Sequence, residues 1–366
     1  MGSHGPGVRK EVDMDRSRFK RKVAVLAMTT GLALVAAACS NSSSSTSPSP
    51  GAAAGGSTSS APAKLTVELD WVPNPDHVGL YYAQDKGYFS DAGLTIDFHS
   101  PSNAADPIKL VGLNKVDVAI SYEPEMFYGQ QNGLPVVAVA TVVPVPLNSM
   151  IISPSASVTQ LSQISGKSVG VTGIPSDDAF FQTMLKTAGL TASDVTKVNV
   201  GFNLVPSLLS NKVDAIIGGY RNVEAIQVEQ ETGKKPTVFP ADQLGVPTYA
   251  ELVVVANSDR LASDPAYADA VKRFVATVVK GTDAAIADPT GATVVMKTAT
   301  QYDPKFLDQS VPYTLTLLTP APGTKTGCID AAAWQSYGDW MKTEGLITST
   351  PDSAAIATDQ YMPYAC

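Results

Sequence analysis

Residues 65–89 read LTVELDWVPNPDHVGLYYAQDKGYF, and this stretch decides the fold. Leu65, Val67 and Leu69 alternate with Thr66, Glu68 and Asp70, the period of two that a strand requires. A proline and asparagine turn breaks the alternation. From Asp76 onward Val78, Tyr81 and Tyr82 recur at helical spacing, Gly79 weakens the pattern and Gly87 marks its end. A cluster of Asp70, Trp71, Asn74, Asp76 and His77 therefore stands where a strand hands over to a helix. In open α/β sheets this is the carboxyl edge of the strands, where ligands bind.

Working outward, strand and helix patterns keep alternating. Residues 94–99, 116–121 and 135–143 read as strands, and 106–113 and 124–132 as helices. A second series follows, with strands at 168–172, 197–200, 213–218, 236–239 and 251–257 and helices at 177–188 and 222–232. Apolar runs separated by helices predict an α/β protein with mostly parallel sheets covered on both faces. Residues 114–120, NKVDVAI, return as residues 211–217, NKVDAII. That period is too long for a solenoid and points to two lobes built on one plan around a shared cleft. The expected division is 64–155 plus 256–366 for the first lobe and 156–255 for the second, with crossings near 153–157 and 249–257. Beyond residue 257 the chain turns helical, at 265–280 and again at 331–343, where Trp334, Tyr337, Trp340 and Met341 form a stripe expected to pack in the core. Residues 311–322 show no clear period.

The N-terminus stands apart. Arg16, Arg18, Lys20, Arg21 and Lys22 precede an apolar run of 16 residues that ends at Cys39, short for a membrane span of about 20 residues. Residues 1–38 are expected to be a lipoprotein signal peptide, with Cys39 the lipidated residue; a plain secretory signal cut near Ala38 is the alternative. Residues 40–63 are rich in Ser, Gly, Ala and Pro and read as a flexible linker able to span roughly 25–30 Å. The formal net charge is -8. Residues 1–38 hold seven Lys or Arg and three acids, so the remainder carries about -12, a poor match for a phosphate backbone. Nucleic acid is not an expected partner. Apart from Cys39 the cysteines are Cys328 and Cys366, expected to pair in an oxidising compartment.

Catalytic patterns are missing. The histidines are His4, His77 and His99, too few with these cysteines for a metal site, and no HExxH, GxSxG or phosphate-binding loop occurs. The sequence proposes no enzyme, metal or cofactor. Recognition has better candidates. Trp71 offers a flat stacking surface, with Tyr122, Tyr128 or Tyr220 as a second. Asp70, Glu123, Glu125 and Glu224 can accept hydrogen bonds from ring amino groups, while Asn74, His77, Asn203 and Asn222 supply further polar contacts. Taken singly, each has a structural alternative: Trp71 as lobe core, His77 as a helix cap, Glu224 as an exposed helix residue.

The residues 69–74 (LDWVPN) with His77, residues 79–81 (GLY), 86–89 (KGYF), 115–117 (KVD), 121–125 (SYEPE) and 218–220 (GGY) with Asn222 and Glu224 resemble the SsuA/THI5-like family of binding components of ABC importers that capture thiamine-pyrimidine precursors. That family is similar to the fungal pyrimidine synthases and, more distantly, to sulfonate and nitrate binding proteins. The resemblance implies a two-lobed periplasmic binding protein fold of type II that closes by hinge motion. Trp71 and a tyrosine of the Tyr122 or Tyr220 kind would sandwich a pyrimidine, with Glu224 at its exocyclic amine. The implied partners are a small aromatic ligand, a permease and an ATPase, with the protein a lipid-anchored monomer on the extracytoplasmic face. The resemblance places the fungal cofactor lysine and essential histidine at Ser121 and Glu125, so the reacting groups of the synthases are missing. Riboflavin, another small aromatic molecule or a sulfonate are alternative ligands, and a surface sensor is the non-transport alternative.

Overall fold

The computed structural model describes residues 61–366. The expected signal peptide, Cys39 and nearly all of the linker lie outside the described residues. Two five-stranded sheets form the frame. The first contains β1 (Ala63–Glu68), β2 (Leu94–His99), β3 (Val118–Ser121), β4 (Val136–Val143) and β10 (Leu252–Asn257); the second contains β5 (Asn148–Ile152), β6 (Ser168–Val171), β7 (Thr196–Asn199), β8 (Ala215–Tyr220) and β9 (Thr237–Pro240). Their orders are β2-β1-β3-β10-β4 and β7-β6-β8-β5-β9.

Both sheets are mixed, which corrects the expectation of mostly parallel sheets. β1 pairs parallel with β2 and β3, whereas β10 runs antiparallel to β3 and β4. In the second sheet β6 pairs parallel with β7 and β8, whereas β5 runs antiparallel to β8 and β9. The antiparallel members are the strands that arrive from the other lobe. β5 follows the first sheet directly, and β10 returns from the second to insert between β3 and β4. The chain thus crosses at residues 144–147 and again at 241–251. The first crossing lies upstream of the expected 153–157, because residues 148–152 pair within the second sheet. Buried residues fill β4 and β10 from end to end, as strands covered on both faces demand.

The repeated NKVD motif does the same job in each lobe. Asn114 and Asn211 both take the left-handed backbone conformation, at φ 53° and 54°, which Asn tolerates in turns. Three residues on, Asp117 Oδ2 accepts from Thr66 N and Oγ1 at 2.8 Å each. Asp214 Oδ2 accepts from Ser168 N and Oγ at the same distances. Each aspartate therefore fixes its strand against the first parallel strand of its own sheet.

Helices cover the sheets. The helix Pro265–Ala287 buries Tyr267, Val271, Phe274, Val275 and Val278 and lies against the helix Val78–Asp85. The two backbones approach so closely that a Cβ added to Gly281 would stand 2.4 Å from Gly79 O and 2.6 Å from Ala83 Cβ. Gly79, a flaw in the helical pattern, is thus required by packing. Residues 311–322 fall mostly in the helix Pro304–Leu318, which carries Pro312 internally. The helix Ala331–Thr343 buries Trp334, Tyr337 and Met341, and Cys328 is bonded to Cys366 with Cα atoms 5.7 Å apart. Among the described residues no helix is long and apolar enough to cross a membrane.

Candidate functional site

A narrow cleft lies between the sheets. The first lobe contributes Asp70, Trp71, Asn74, Tyr122 and Pro124 to its wall. The second contributes Asn148, Ile174, Ser176, Asp177, Phe180, Gly218, Tyr220, Val223 and Glu224, and the returning crossing adds Tyr249 and Glu251. No lysine, arginine or histidine is in this wall.

Asp70 is the anchor of the first side. It is buried, with Oδ1 at 2.7 Å from His77 Nε2 and Oδ2 accepting from Tyr122 Oη at 3.1 Å. His77 Nδ1 accepts from the backbone N–H of Asn74 at 3.2 Å, so Nε2 carries the hydrogen and donates to Asp70. Asn74 Oδ1 in turn accepts from Asp76 N at 2.8 Å, capping the short turn Pro75–His77. The ring of His77 is committed on both nitrogens and wholly buried. It positions Asp70 and Asn74 and does not itself line the cleft.

The second side is organised by Glu251. Its Oε2 accepts from Leu147 N at 2.6 Å, Asn148 N at 2.9 Å and Tyr249 Oη at 2.8 Å, and its Oε1 accepts from Tyr220 Oη at 3.1 Å. One carboxylate thereby ties the outgoing crossing to the returning one. Asn148 donates to Asp177 Oδ1 at 2.5 Å, and Thr172 Oγ1 donates to Asp177 Oδ2. Gly218, at φ +87°, lets the backbone pass where a Cβ would meet Asp177 Oδ2 at 2.5 Å. Glu224 Oε2 accepts from Tyr220 N at 2.8 Å.

Burial governs the electrostatics. It pushes the Asp177 and Glu224 carboxyls up to about 7, against the hydrogen bonds that each accepts. Burial likewise raises Tyr122 and Tyr220 well above the ordinary phenol range, helped by Asp70 and Glu251, so these hydroxyls stay donors. Such a wall offers acceptors from its carboxylates and, near neutral pH, acid hydrogens from the same groups.

Six of the ten residues expected to contact ligand line the cleft: Asp70, Trp71, Asn74, Tyr122, Tyr220 and Glu224. His77, Glu123, Glu125 and Asn222 stand behind it. Glu123 Oε2 accepts from Ala250 N at 2.7 Å, and burial pushes its carboxyl up to about 8. Glu125 Oε1 accepts from Ser176 N at 3.1 Å, a bond between lobes. Asn222 donates to Asp76 Oδ1 at 2.7 Å, also between lobes. The ring beside Trp71 is Phe202, edge-on with centroids 4.4 Å apart, while Tyr122 and Tyr220 are held by their hydroxyls. Sequence reasoning missed Asn148, Ser176, Asp177, Tyr249 and Glu251. Asp177 stands at the start of the helix expected at 177–188 and Glu251 at the start of the strand expected at 251–257, and β5, which carries Asn148, has no strong period. Among the described residues no group of three or more His, Cys, Asp or Glu is arranged to hold a metal ion.

Comparison with known proteins gives the chain a family and a fold. Residues 74–292 match the family described as NMT1/THI5 like. A putative thiamine biosynthesis protein of Haemophilus influenzae is 34% identical over 292 residues, covering 79% of this chain and 90% of that protein. A formylaminopyrimidine-binding protein of Halalkalibacterium halodurans is 31% identical over 280 residues, covering 75% of this chain and 83% of that protein. Among solved structures, the ligand-binding component of an ABC-type import system from Staphylococcus aureus superposes with a TM-score of 0.64 at 12% identity, covering 81% of this chain and 97% of the other; at that identity the likeness speaks to fold alone. The chain belongs to the NMT1/THI5-like family and has the two-lobed fold of periplasmic substrate-binding proteins.

Proposed function

We propose that this protein is the solute-binding component of an ABC importer, that it works outside the cytoplasm on a lipid anchor at Cys39, and that it captures a small uncharged aminopyrimidine related to thiamine. The observation that carries the ligand class is the wall of the cleft. It combines Trp71 and further aromatic rings with Asp70, Asp177 and Glu224 and holds no cationic side chain. An anionic sulfonate or nitrate needs donors or cations around its oxygens, and the buried carboxyls of Asp70, Asp177, Glu224 and Glu251 disfavour it. A ring carrying amino groups finds acceptors on both sides and an aromatic face at Trp71. The binding protein of Halalkalibacterium halodurans, named for formylaminopyrimidine, supports the same class.

Closure would bring the lobes together about residues 144–147 and 241–251, and the closed form would dock on a permease with its ATPase. Fluorescence titration of the purified protein with formylaminopyrimidine, hydroxymethylpyrimidine, thiamine, riboflavin and an alkanesulfonate tests the reading. Saturable binding of an aminopyrimidine, with the sulfonate inert, is the expected result. Preference for the sulfonate would overturn it, and preference for riboflavin would transfer the role to a larger flat ligand.

A further inference from the structure

Asp76 and Asn222 meet across the lobes behind the ligand cleft. Asp76 lies in the turn Pro75–His77, close in sequence to Trp71 and Asn74, and Asn222 lies between Tyr220 and Glu224. Both side chains are inaccessible to solvent. Asn222 Nδ2 donates one hydrogen to Asp76 Oδ1 at 2.7 Å and the other to Thr314 Oγ1 at 2.8 Å. The hydroxyl of Ser310 holds the Asn222 carbonyl from the same helix, Pro304–Leu318.

The donor count does not close. One buried oxygen on each residue, Asp76 Oδ2 and Asn222 Oδ1, has no partner, and a buried acceptor left unpaired is destabilising. The amide has spent both hydrogens, and an ionised carboxylate has none to give. A single proton on Asp76 Oδ2 resolves both deficits. Oδ2–H would then be free to donate to Asn222 Oδ1 while Asn222 Nδ2–H donates back to Asp76 Oδ1, giving a pair joined by two bonds.

We propose that Asp76 is a protonated acid in the closed form and that its two-bond pair with Asn222 is a latch, holding the Trp71–Asn74 side of the cleft in register with the Tyr220–Glu224 side. The surroundings favour the acid. Asp70 and His77 face Asp76 from its own segment, Tyr220 and Glu224 from the second lobe, Glu251 from the returning crossing, and Tyr302, Ser310 and Thr314 from the C-terminal part. No lysine or arginine is among them. Burial first, then the charges of Asp70, Glu224 and Glu251, raise the Asp76 carboxyl well above the ordinary range, against the bond from Asn222. Opening the cleft rehydrates Asp76 and releases the proton to solvent. The closed form therefore holds a proton that the open form loses at neutral pH, and rising pH drives the lobes apart. Asp76 and Asn222 are positioning residues, and the latch stands whatever ligand the cleft takes.

Asp76→Asn separates this latch from a merely structural contact, because an amide at position 76 keeps both bonds and cannot ionise. Small-angle scattering of the ligand-free protein reads closure directly. The wild type should be compact at about pH 5 and expand toward about pH 9, D76N should stay compact throughout, and D76A should be expanded at both ends of the range. A wild type indifferent to pH, a D76N variant that expands as D76A does, or one that keeps the wild-type pH dependence would each overturn the latch. Should D76A fail to fold, the infrared difference between wild type and D76N at about pH 6 decides. One protonated-carboxyl carbonyl band lost in D76N supports the latch, and no band lost refutes it.

Discussion

Glu251 and Tyr220 meet at 3.1 Å, joining the chain's return crossing to the last strand residue of β8 in the second sheet. The same carboxylate holds the backbone of Leu147 and Asn148 on the outgoing crossing. Both crossings therefore depend on one side chain. Glu251→Ala leaves two buried N–H groups and two hydroxyls without their acceptor, and should cost about 3–5 kcal/mol in urea unfolding. A loss below about 1 kcal/mol would show that the crossings are fixed elsewhere.

Asp70 depends on His77 in a comparable way. His77→Ala removes the Nε2 donor to Asp70 and the Nδ1 acceptor for Asn74 N, although His77 itself does not line the cleft. Ligand affinity should fall about tenfold and stability by about 2 kcal/mol. Unchanged affinity in a folded variant would remove His77 from the machinery of the site.

The close crossing of helices at Gly79 and Gly281 admits no side chain. Gly281→Ala should destabilise the protein by about 1–3 kcal/mol through overpacking, even though alanine is the better helix former by about 1 kcal/mol. A thermal melt at or above the wild-type midpoint would contradict the packing.

The buried carboxyls give stability an acidic optimum. Burial raises Glu123 to about 8 and Glu125, Asp177 and Glu224 to about 7, whereas the unfolded chain releases these protons near pH 4 to 4.5. Their contribution is full below about pH 4.5 and is lost as pH rises through about 7 to 8. Asp117 and Asp214 act the other way. Burial opposes ionisation at both, but the bonds from Thr66 and Arg260, and from Ser168, hold them below the ordinary range, so their contribution is lost on acidification. The melting temperature should peak at about pH 5 and decline toward pH 8; a steady rise over that interval would contradict the burial of these groups.

Much of this was legible in the sequence because short-range chemistry set it. The strand-to-helix handover at 65–89 placed Asp70, Trp71 and Asn74 at the cleft, and the NKVD repeat marked equivalent strands because each Asn turn and Asp bond is local to its lobe. What escaped was set by long-range pairing. Nothing in residues 148–152 announces that they cross between lobes, so β5 and Asn148 went unread. Glu251 looks like the start of an ordinary strand until Leu147 is folded beside it, 104 positions away. Pro312 disguised a helix whose Thr314 and Ser310 hold Asn222. Glu123, Glu125 and Asn222 have the chemistry of ligand contacts, and only the packing shows that they fasten the protein to itself.

The central claim is that an uncharged aminopyrimidine stacks on Trp71 among carboxylates. Calorimetric titration of hydroxymethylpyrimidine and an alkanesulfonate into wild type and Trp71→Ala tests it most directly. The account predicts saturable binding of the pyrimidine, no binding of the sulfonate, and an affinity about 10- to 100-fold weaker in the variant, as the loss of one ring stack implies. Binding of the sulfonate alone, or pyrimidine binding indifferent to Trp71, would contradict it.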